Sequence, residues 1–242
     1  MQITTETDFI NTFKKLGIEK GSVVLLQGDL SAYEYVVNQE QAVIDALMKL
    51  VTNEGCILMP TFTLNCLDPA SYETKDVMYE DWPLVREYHM GFDPQLTTCS
   101  KYTRLAEQFL KKPGVKRTDH PVYSFAFWGT YDEKCLEQPL HLPISFGRVL
   151  RDFVNRDSYN LLLNETIENS LLFPALAKTM NLGVLTEKKA IVRNNDRVKI
   201  KSFLNLEIDS ETLEQCLDLC WVEQEEDQRL QIVSLDTNDD KM

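Results

Sequence analysis

The residues best suited to chemistry lie in one short stretch, 116–129, which contains His120, three hydroxyl residues and two basic residues before an aromatic run. Histidine is the side chain whose charge changes near neutral pH, so it can serve as an acid or a base. Pro121 restricts the backbone of His120 to extended conformations, which predicts a position between a loop and a strand. Rigid supports of this kind often carry functional side chains, and the same pattern also fits a histidine that only stabilises a loop before a buried strand.

The length and composition indicate one folded domain. The chain has 242 residues, of which 43% are hydrophobic and 26% are charged, so it can bury one large core. We therefore expect residues 1–242 to form a single domain.

The charge balance bears on the partners. The net charge is −13, from 38 acidic and 25 basic residues, and no basic stripe is present, which argues against nucleic acid. An acidic surface attracts a cationic small molecule instead. The first residues do not resemble a signal peptide, and no apolar run approaches the ~20 residues of a membrane span. We expect a cytoplasmic protein with no membrane partner, and homodimer formation stays open.

Motifs for several other kinds of site are missing. The six cysteines and three histidines do not cluster with metal-ligand spacing, so we expect no metal site and free, buried thiols. Neither a Walker loop nor a dinucleotide-binding glycine motif occurs, and no Gly-x-Ser-x-Gly elbow is present. Nucleotide binding by those loops and hydrolysis by that elbow are therefore not expected.

The first 63 residues predict a strand–helix–strand unit preceded by a helix. The helix is expected at 4–16, a buried strand at 22–27, a second helix from Asn38 and another buried strand at 56–59. This order predicts an α/β fold with a central, largely parallel sheet flanked by helices. Ligands of such sheets lie beyond the carboxyl ends of the strands, where the turns after both strands would meet.

The rest of the chain mixes irregular segments with further elements. Residues 64–98 predict an irregular lid or substrate wall, because long segments of this kind inside a domain are usually functional. The last residues, 224–242, form an acidic segment around a predicted edge strand at 230–235. The other predicted elements are helices at 101–110, from Leu171 and at 210–222, strands at 122–128 and 159–163, and a hairpin at 185–198 that turns at 194–196.

The order of several short motifs resembles the aminoglycoside 3-N-acetyltransferase family, whose fold is unrelated to that of the more common GNAT acetyltransferases. The similarity covers about residues 5–180. Each motif is short, and their common order carries the resemblance. The motifs are the strand and turn at 23–31, the helix at 43–47, the strand at 55–63, Phe92-Asp-Pro94, Leu105-Ala-Glu107 with Phe109, Pro113-Gly-Val115 and Arg117-Thr-Asp-His-Pro121 with Ser124-Phe125.

The resemblance implies transfer of an acetyl group from acetyl-CoA to an amine of an aminoglycoside or another amino sugar, an activity linked to antibiotic resistance. Such a reaction needs a base for the amine proton and donors for the tetrahedral oxyanion. In the family, the first turn and the segment before the aromatic strand hold the cofactor. The corresponding candidates here are Gly28, Asp29, Leu30, Ser31, Arg117, Thr118 and Ser124.

The sequence departs from the family pattern where the base is expected. The family base is a histidine in an Asn-Thr-x-x-His segment, and residues 169–173 align with it so that Phe173 takes the histidine position. No histidine follows His141, so a shifted alignment does not recover the base. The family's paired glycines before the second helix are replaced by Asn38 and Gln39, and the first turn reads Gln27-Gly28-Asp29 where His-Ser-Ser is expected.

Three explanations are open. The base is His120 helped by Asp119 or Glu107, or it is a carboxylate (Asp29, Asp68 or Glu165) that acts on a different amine. Alternatively the chain has lost catalysis and acts as a binding or partner protein. Our candidate catalytic residues are His120, Asp68 and Glu107, and a fold alone does not decide between activity and binding.

Overall fold

The computed structural model describes residues 1–72, 77–145, 158–194, 197–224 and 229–235. The elements of the first half are β1 (Ile3–Thr4), α1 (Glu6–Lys15), β2 (Val23–Gly28), β3 (Tyr35–Val36), α2 (Glu40–Val51), β4 (Cys56–Pro60), α3 (Trp82–Tyr88), α4 (Thr103–Leu110), β5 (Lys116–Arg117) and β6 (Phe125–Gly129). Those of the second half are β7 (Ser158–Leu163), α5 (Leu172–Thr179), β8 (Val184–Asn194), β9 (Arg197–Glu207), α6 (Ser210–Leu217), β10 (Cys220–Gln224) and β11 (Leu230–Leu235).

A seven-stranded sheet organises these elements in the order β10-β11-β7-β2-β4-β6-β5. The three central strands, β7, β2 and β4, are parallel, and the outer strands pair antiparallel. Every residue of β2 and β4 is buried, as expected for parallel strands covered on both faces. The predicted α/β fold with a parallel central sheet and flanking helices is confirmed.

Alternate residues of each central strand face two different cores. Val24 and Leu26 join the core covered by α1, α2 and α4, whereas Val23 and Leu25 join the core covered by α5, α6 and the β8–β9 hairpin. Burial of these apolar side chains is the main favourable contribution to folding. The two faces therefore fix the register of the central strands.

The helix α1, predicted at 4–16, begins two residues later, at Glu6, and Thr5 caps it. Thr5 accepts a hydrogen bond from the Asp8 amide at 3.3 Å, and the Asp8 carboxylate accepts one from the Thr5 amide at 2.8 Å. This reciprocal capping box satisfies two amides that have no partner inside the helix.

Two predictions near the C terminus are wrong. The predicted helix at 210–222 ends at Leu217, and Cys220–Gln224 forms the strand β10 instead, so Cys216 and Cys220 do not share a helical face. β11 is not an edge strand, because β10 pairs with its outer side over five residues. Of the acidic segment 224–242, residues 225–228 and 236–242 lie outside the described residues.

The segment 64–98 packs against the β8–β9 hairpin and contains more regular structure than predicted. It holds α3 and three 3-10 turns, at Leu64–Cys66, Pro69–Ser71 and Tyr79–Asp81. A hairpin forms as predicted, but it is longer than the predicted 185–198: β8 and β9 make 11 residue pairs, from Val184 with Glu207 to Asn194 with Arg197. Residues 73–76 and 195–196 lie outside the described part of the chain. The role of the segment as a lid or substrate wall stays a prediction.

Within the described ranges, no helix has both the length and the apolar composition that crossing a bilayer requires.

Candidate functional site

The parallel strands β7, β2 and β4 run in the same direction, so their carboxyl ends meet at one edge of the sheet. Gln27, near the end of β2, is fully buried there and connects the segments that follow. Its Nε2 donates to the Asn169 carbonyl at 3.0 Å and to the Tyr102 hydroxyl at 3.3 Å, and its Oε1 accepts from the Leu171 amide at 2.9 Å. The buried side-chain amide of Gln27 therefore holds the segment before α4, with Tyr102, and the segment before α5, with Asn169, at this edge.

Glu165 lies two residues beyond β7 at the same edge. Its Oε2 accepts a hydrogen bond from the Tyr102 hydroxyl at 2.6 Å, and its Oε1 accepts from Asn169 Nδ2 at 2.7 Å and from the Thr166 amide at 3.1 Å. Partial burial raises the pKa of this carboxyl, but these donors outweigh it and the net pKa is lowered. Glu165 is therefore ionised at neutral pH.

The turn after β2 presents a second carboxylate. Asp29 Oδ1 accepts from the Ser31 amide at 2.8 Å, from the Ser31 hydroxyl at 2.5 Å and from Asn164 Nδ2 at 3.0 Å. Partial burial raises the pKa of Asp29, and the three hydrogen bonds lower it to a net value below the usual range. Both carboxylates at this edge are therefore ionised.

An open cavity of about 540 Å³ lies beside this turn. Its carboxylates are Asp29, Glu34 and Glu40; the guanidinium of Arg104 pairs with Glu40 at 3.3 Å, and the N-terminal ammonium of Met1 pairs with Glu34 at 3.5 Å. The excess of negative charge favours a cationic ligand over an anionic one. The other lining residues are Leu30, Ser31, Tyr33, Tyr35, Val36, Gln39, Tyr102 and Thr103.

The predicted cofactor residues fall into two separate groups. Asp29, Leu30 and Ser31 line the acidic cavity, although the Asp29 amide already donates to the Leu163 carbonyl and the Ser31 amide to Asp29. Gly28 is buried beside them with φ of +115°. The prediction that this turn holds the cofactor stays a prediction.

The second group, Arg117, Thr118 and Ser124, makes hydrogen bonds within the protein, and the half-buried Arg117 also lines a cavity of about 670 Å³. Arg117 donates to the carbonyls of Thr61 and Thr97, each at 2.8 Å, and to Ser124 Oγ at 3.1 Å. Burial lowers the pKa of Arg117. Thr118 is 2% exposed and its hydroxyl donates to Gln138 at 2.6 Å. These side chains hold the segment before α4 against β4, and this geometry does not favour their predicted contact with a cofactor.

His120 is buried and hydrogen-bonded at both ring nitrogens. Nδ1 accepts from the amides of Val122 and Tyr123 at 3.1 and 2.9 Å, so the proton is on Nε2, which faces the Leu140 carbonyl at 3.2 Å. Burial lowers the pKa of His120 to about 4. The imidazole borders a cavity of about 340 Å³ with Asp119 and Lys201. Its catalytic role stays a prediction that this geometry does not favour, because neither nitrogen is available.

Asp68 and Glu107 do not join His120. Asp68 is fully buried, and its two oxygens bind Arg86 at 2.7 and 2.8 Å. Burial raises the pKa of Asp68, but the hydrogen bonds from Arg86 lower it by more, so the net pKa is below its usual value. Glu107, on α4, accepts from the Cys99 amide at 2.8 Å and lines a third cavity of about 670 Å³. The three candidate catalytic residues therefore border three different regions.

The contacts of Asp68 predict a structural effect on substitution. We expect Asp68→Asn to lower the free energy of unfolding by about 1–3 kcal/mol, because the charged bonds to Arg86 are weakened at a buried position. Urea unfolding measures this change. Asp81→Asn, at an exposed residue with no side-chain cap bond, is the control. A loss of activity without loss of stability would instead support the catalytic role.

Phe173 is fully buried in the core at the first turn of α5, where the resemblance places the family base. Its neighbour Ser170 binds Asn160 at 2.5 Å, and both are also buried. An aromatic ring in this core cannot accept a proton. The two residues that replace the family glycines keep positive φ angles, 64° for Asn38 and 52° for Gln39. Such angles are costly for residues with a Cβ, so the turn retains the shape of a glycine pair.

The sequence placed Gln27 in the turn at this edge but gave its side chain no role, and it missed Tyr102. A polar residue that closes an apolar strand was an available signal for Gln27. Tyr102 gave no signal, because its role depends on a left-handed backbone with φ of 53° just before α4.

Three comparisons bear on the family. A family model described as aminoglycoside 3-N-acetyltransferase matches residues 25–231. The Bacillus subtilis (strain 168) SPbeta prophage-derived aminoglycoside N(3')-acetyltransferase-like protein YokD is 34% identical over 171 residues, 70% of this chain and 63% of the relative. The chain thus spans less than two thirds of the length of that relative.

Solved structures share the fold. The crystal structure of YokD from Bacillus subtilis superposes with a TM-score of 0.82 at 27% identity, over 97% of this chain and 90% of that one. A structure described as AAC-IIIb binary with CoASH superposes with a TM-score of 0.75 at 17% identity, over 98% and 92% of the two chains. From the extent of the family match, the chain belongs to the aminoglycoside 3-N-acetyltransferase family.

Proposed function

We propose that this protein binds an aminoglycoside or a related amino sugar and transfers an acetyl group to one of its amines from acetyl-CoA. The observation that carries the proposal is the acidic cavity at the carboxyl ends of the parallel strands, where the carboxylates of Asp29, Glu34 and Glu40 outnumber the two cations beside them, Arg104 and the N-terminal ammonium. Amino sugars are cations at neutral pH, and aminoglycosides, which carry several amines, are polycations, so this cavity suits the acceptor. The family and the name of the Bacillus relative support the reaction.

The donor is proposed from the family and from a related structure. AAC-IIIb was solved as a binary complex with CoASH, and the shared fold supports the same donor class here. In the reaction, the amine nitrogen attacks the thioester carbonyl, the carbon–sulfur bond breaks, and the thiolate leaves while the nitrogen loses a proton. Because the acidic cavity would repel a diphosphate, we assign it to the acceptor.

A second candidate function is binding without transfer. It is favoured by Phe173, which fills the place of the family base inside the core. The two candidates share the acceptor site and differ only in turnover, so one set of measurements separates them.

The test combines calorimetry with the aminoglycoside gentamicin and a thiol-release assay with acetyl-CoA. We expect binding that weakens as salt increases, together with thiol release that depends on both substrates. Binding without thiol release would replace the enzyme by the second candidate, and the absence of both would contradict both proposals.

A pair of cavity carboxylates gives the site-specific prediction. We expect the double variant Glu34→Gln, Glu40→Gln to bind gentamicin roughly three- to tenfold more weakly, because each carboxylate–ammonium contact near the surface is worth roughly 0.2–1 kcal/mol. Titration calorimetry at low salt measures the change. The double variant Glu19→Gln, Glu137→Gln, at two exposed positions that do not line this cavity, is the control for the loss of two charges. Equal affinities in the two variants would exclude the cavity as the acceptor site.

A further inference from the structure

Acetyl transfer requires a group that accepts the proton of the acceptor amine. Phe173, at the position of the family base, cannot accept it. The chain has three histidines. His120 has both ring nitrogens engaged by the backbone, as described above. His89 faces the Asn65 carbonyl and the Gly91 amide, and the exposed His141 accepts from the Leu204 amide on β9. A carboxylate at the edge of the central strands is therefore the better proton acceptor.

Glu165 does not itself line the acidic cavity, but it accepts a hydrogen bond from Tyr102, which does. Glu165 follows β7 directly at the carboxyl edge of the parallel strands, and it is only partly buried. Its two oxygens accept three hydrogen bonds, so lone pairs remain for a further donor such as an ammonium group. The carboxylate of Asp29 is joined to the same loop through Asn164. Two ionised carboxylates thus lie on neighbouring turns.

Tyr102 links Glu165 to the acidic cavity. The phenol lines that cavity, and its hydroxyl donates to Glu165 at 2.6 Å while accepting from Gln27. The Tyr102 backbone is left-handed, with φ of 53° and ψ of 32°, and its side chain does not cap α4. Left-handed backbone is unfavourable for an aromatic residue and is found mainly where the surroundings or a function demand it. Here it accompanies the contact with Glu165.

We propose that Glu165 is the carboxylate that contacts the acceptor amine and receives its proton, and that Tyr102, which lines the acidic cavity, is a positioning residue that holds Glu165 next to it. The inference rests on the proposed function. As the nitrogen–carbon bond forms and the carbon–sulfur bond breaks, the proton passes from nitrogen to Glu165, and then to the departing thiolate of CoA or to water. Electrons and atoms balance without another reactant.

A purely structural role is the competing explanation. Glu165 is already tied to its own loop by Asn169 and by the Thr166 amide, so the loop does not need the bond to Tyr102. A glutamine at this position has the same shape, and its amide oxygen and nitrogen can still pair with Asn169 and Tyr102. Glu165→Gln therefore removes the charge and the basicity with little change of structure, which makes it a fair test.

The experiment measures kcat, KM and gentamicin binding for the wild type, Glu165→Gln and the control Glu168→Gln. Glu168 is exposed on the 3-10 turn Ile167–Asn169, so the control changes the same charge nearby. We expect Glu165→Gln to lower kcat about 100-fold, at the low end of the usual effect of a general base, and to weaken binding roughly tenfold. Glu168→Gln should stay within about twofold of the wild type. Equal kcat in the two variants would overturn the role of Glu165 as proton acceptor.

Tyr102→Phe gives a readout that a structural role would not move. The Tyr102 hydroxyl is one of the donors that lower the pKa of Glu165, so its removal raises that pKa. We expect the acid limb of the pH profile of kcat to move to higher pH in Tyr102→Phe, with thermal stability close to that of the wild type. An unchanged acid limb would overturn the positioning role.

Failure of the proposed function is recognised separately. If the wild type releases no thiol with any aminoglycoside, the enzyme proposal falls and the proton transfer falls with it. The contact with the amine is then decided by calorimetry alone: weaker gentamicin binding by Glu165→Gln than by Glu168→Gln supports it, and equal binding overturns it.

Discussion

Replacing Gly28 by alanine is expected to destabilise the protein by about 4 kcal/mol or more, which is the range of severe substitutions. Gly28 pairs with Leu163 at the end of the β2–β7 ladder, and its φ is +115°. A Cβ at this position would lie 1.7 Å from the Leu163 carbonyl oxygen and 2.6 Å from the carbonyl carbon. The clashing atoms belong to the backbone of the neighbouring strand β7 and have no rotamer that would relieve the clash. The ends of β2 and β7 must therefore move apart.

The separation would also disturb the candidate site. The Leu163 carbonyl accepts from the Asp29 amide at 2.9 Å, and Glu165 lies two residues further along the same segment. We therefore expect Gly28→Ala to lose aminoglycoside binding in whatever fraction still folds. Urea unfolding followed by circular dichroism gives the free energy, and calorimetry gives the binding.

Gly21→Ala is the matched control. Gly21 also has a positive φ, +88°, but no atom lies within 4 Å of its added Cβ. Only the conformational cost remains there, roughly 1–2 kcal/mol. If the two variants were equally stable, the close approach of β2 and β7 would not be the reason for a glycine at position 28.

The central sheet could be predicted because its signals are local. The apolar run at 22–27 and the periodic helix that follows it do not depend on distant residues, and β2 and α2 form close to those bounds. β10 could not be predicted in the same way. The spacing of Cys216 and Cys220 fits a helix, and only the ladder with β11 makes 220–224 a strand.

The sequence predicted the position of the candidate site in the fold, but only some of the residues that form it. The turn after β2 was expected at the carboxyl edge of the sheet, and Asp29 and Ser31 do line the cavity there. Arg117 and Ser124 are residue types that are common in binding sites. In the fold, both side chains donate to the carbonyl of Thr61, the residue that follows β4. Residue type in the sequence does not reveal which acceptors a side chain will find after folding.

The loss of the family histidine was visible in the sequence, whereas its surroundings were not. Phe173 could be aligned with the base, but its burial against the β8–β9 hairpin core depends on contacts distant in sequence. The link from Tyr102 to Glu165 spans 63 residues and needs a left-handed backbone that no local pattern predicts. The sequence left either His120 or a carboxylate, Glu165 among them, open as the proton acceptor, and the hydrogen bonds of both residues support our proposal of Glu165.

His120→Ala is expected to lower the free energy of unfolding by about 3 kcal/mol, because it leaves buried backbone groups without partners and opens a cavity. The imidazole accepts from two amides and packs edge-on against Phe203, with ring centroids 5.2 Å apart. His141→Ala is the control, since His141 is exposed and accepts one bond, from the Leu204 amide. We expect the control to lose less than about 1 kcal/mol, and urea unfolding at about pH 7.5 compares the two.

The pH dependence of stability tests the same residue independently. Burial lowers the pKa of His120 to about 4, whereas an unfolded histidine titrates near 6.5. Between these values the unfolded chain binds a proton that the folded protein does not, so stability falls as the pH is lowered from about 6.5 to about 4. The contribution of His120 is complete above about pH 6.5, and its loss across the window amounts to about 3 kcal/mol. The difference between wild type and His120→Ala isolates this contribution, because Asp119, Lys201 and the other charged groups are present in both proteins.

Urea unfolding together with the thiol-release assay decides the catalytic hypothesis for His120. A neutral imidazole with both nitrogens bonded to the backbone should affect folding and leave the kcat of the folded fraction within a few-fold of wild type. If His120→Ala were as stable as His141→Ala and abolished thiol release, the imidazole would have to leave its backbone partners during turnover. That result would return the role of base to the stretch 116–129 and remove the need for Glu165 as proton acceptor.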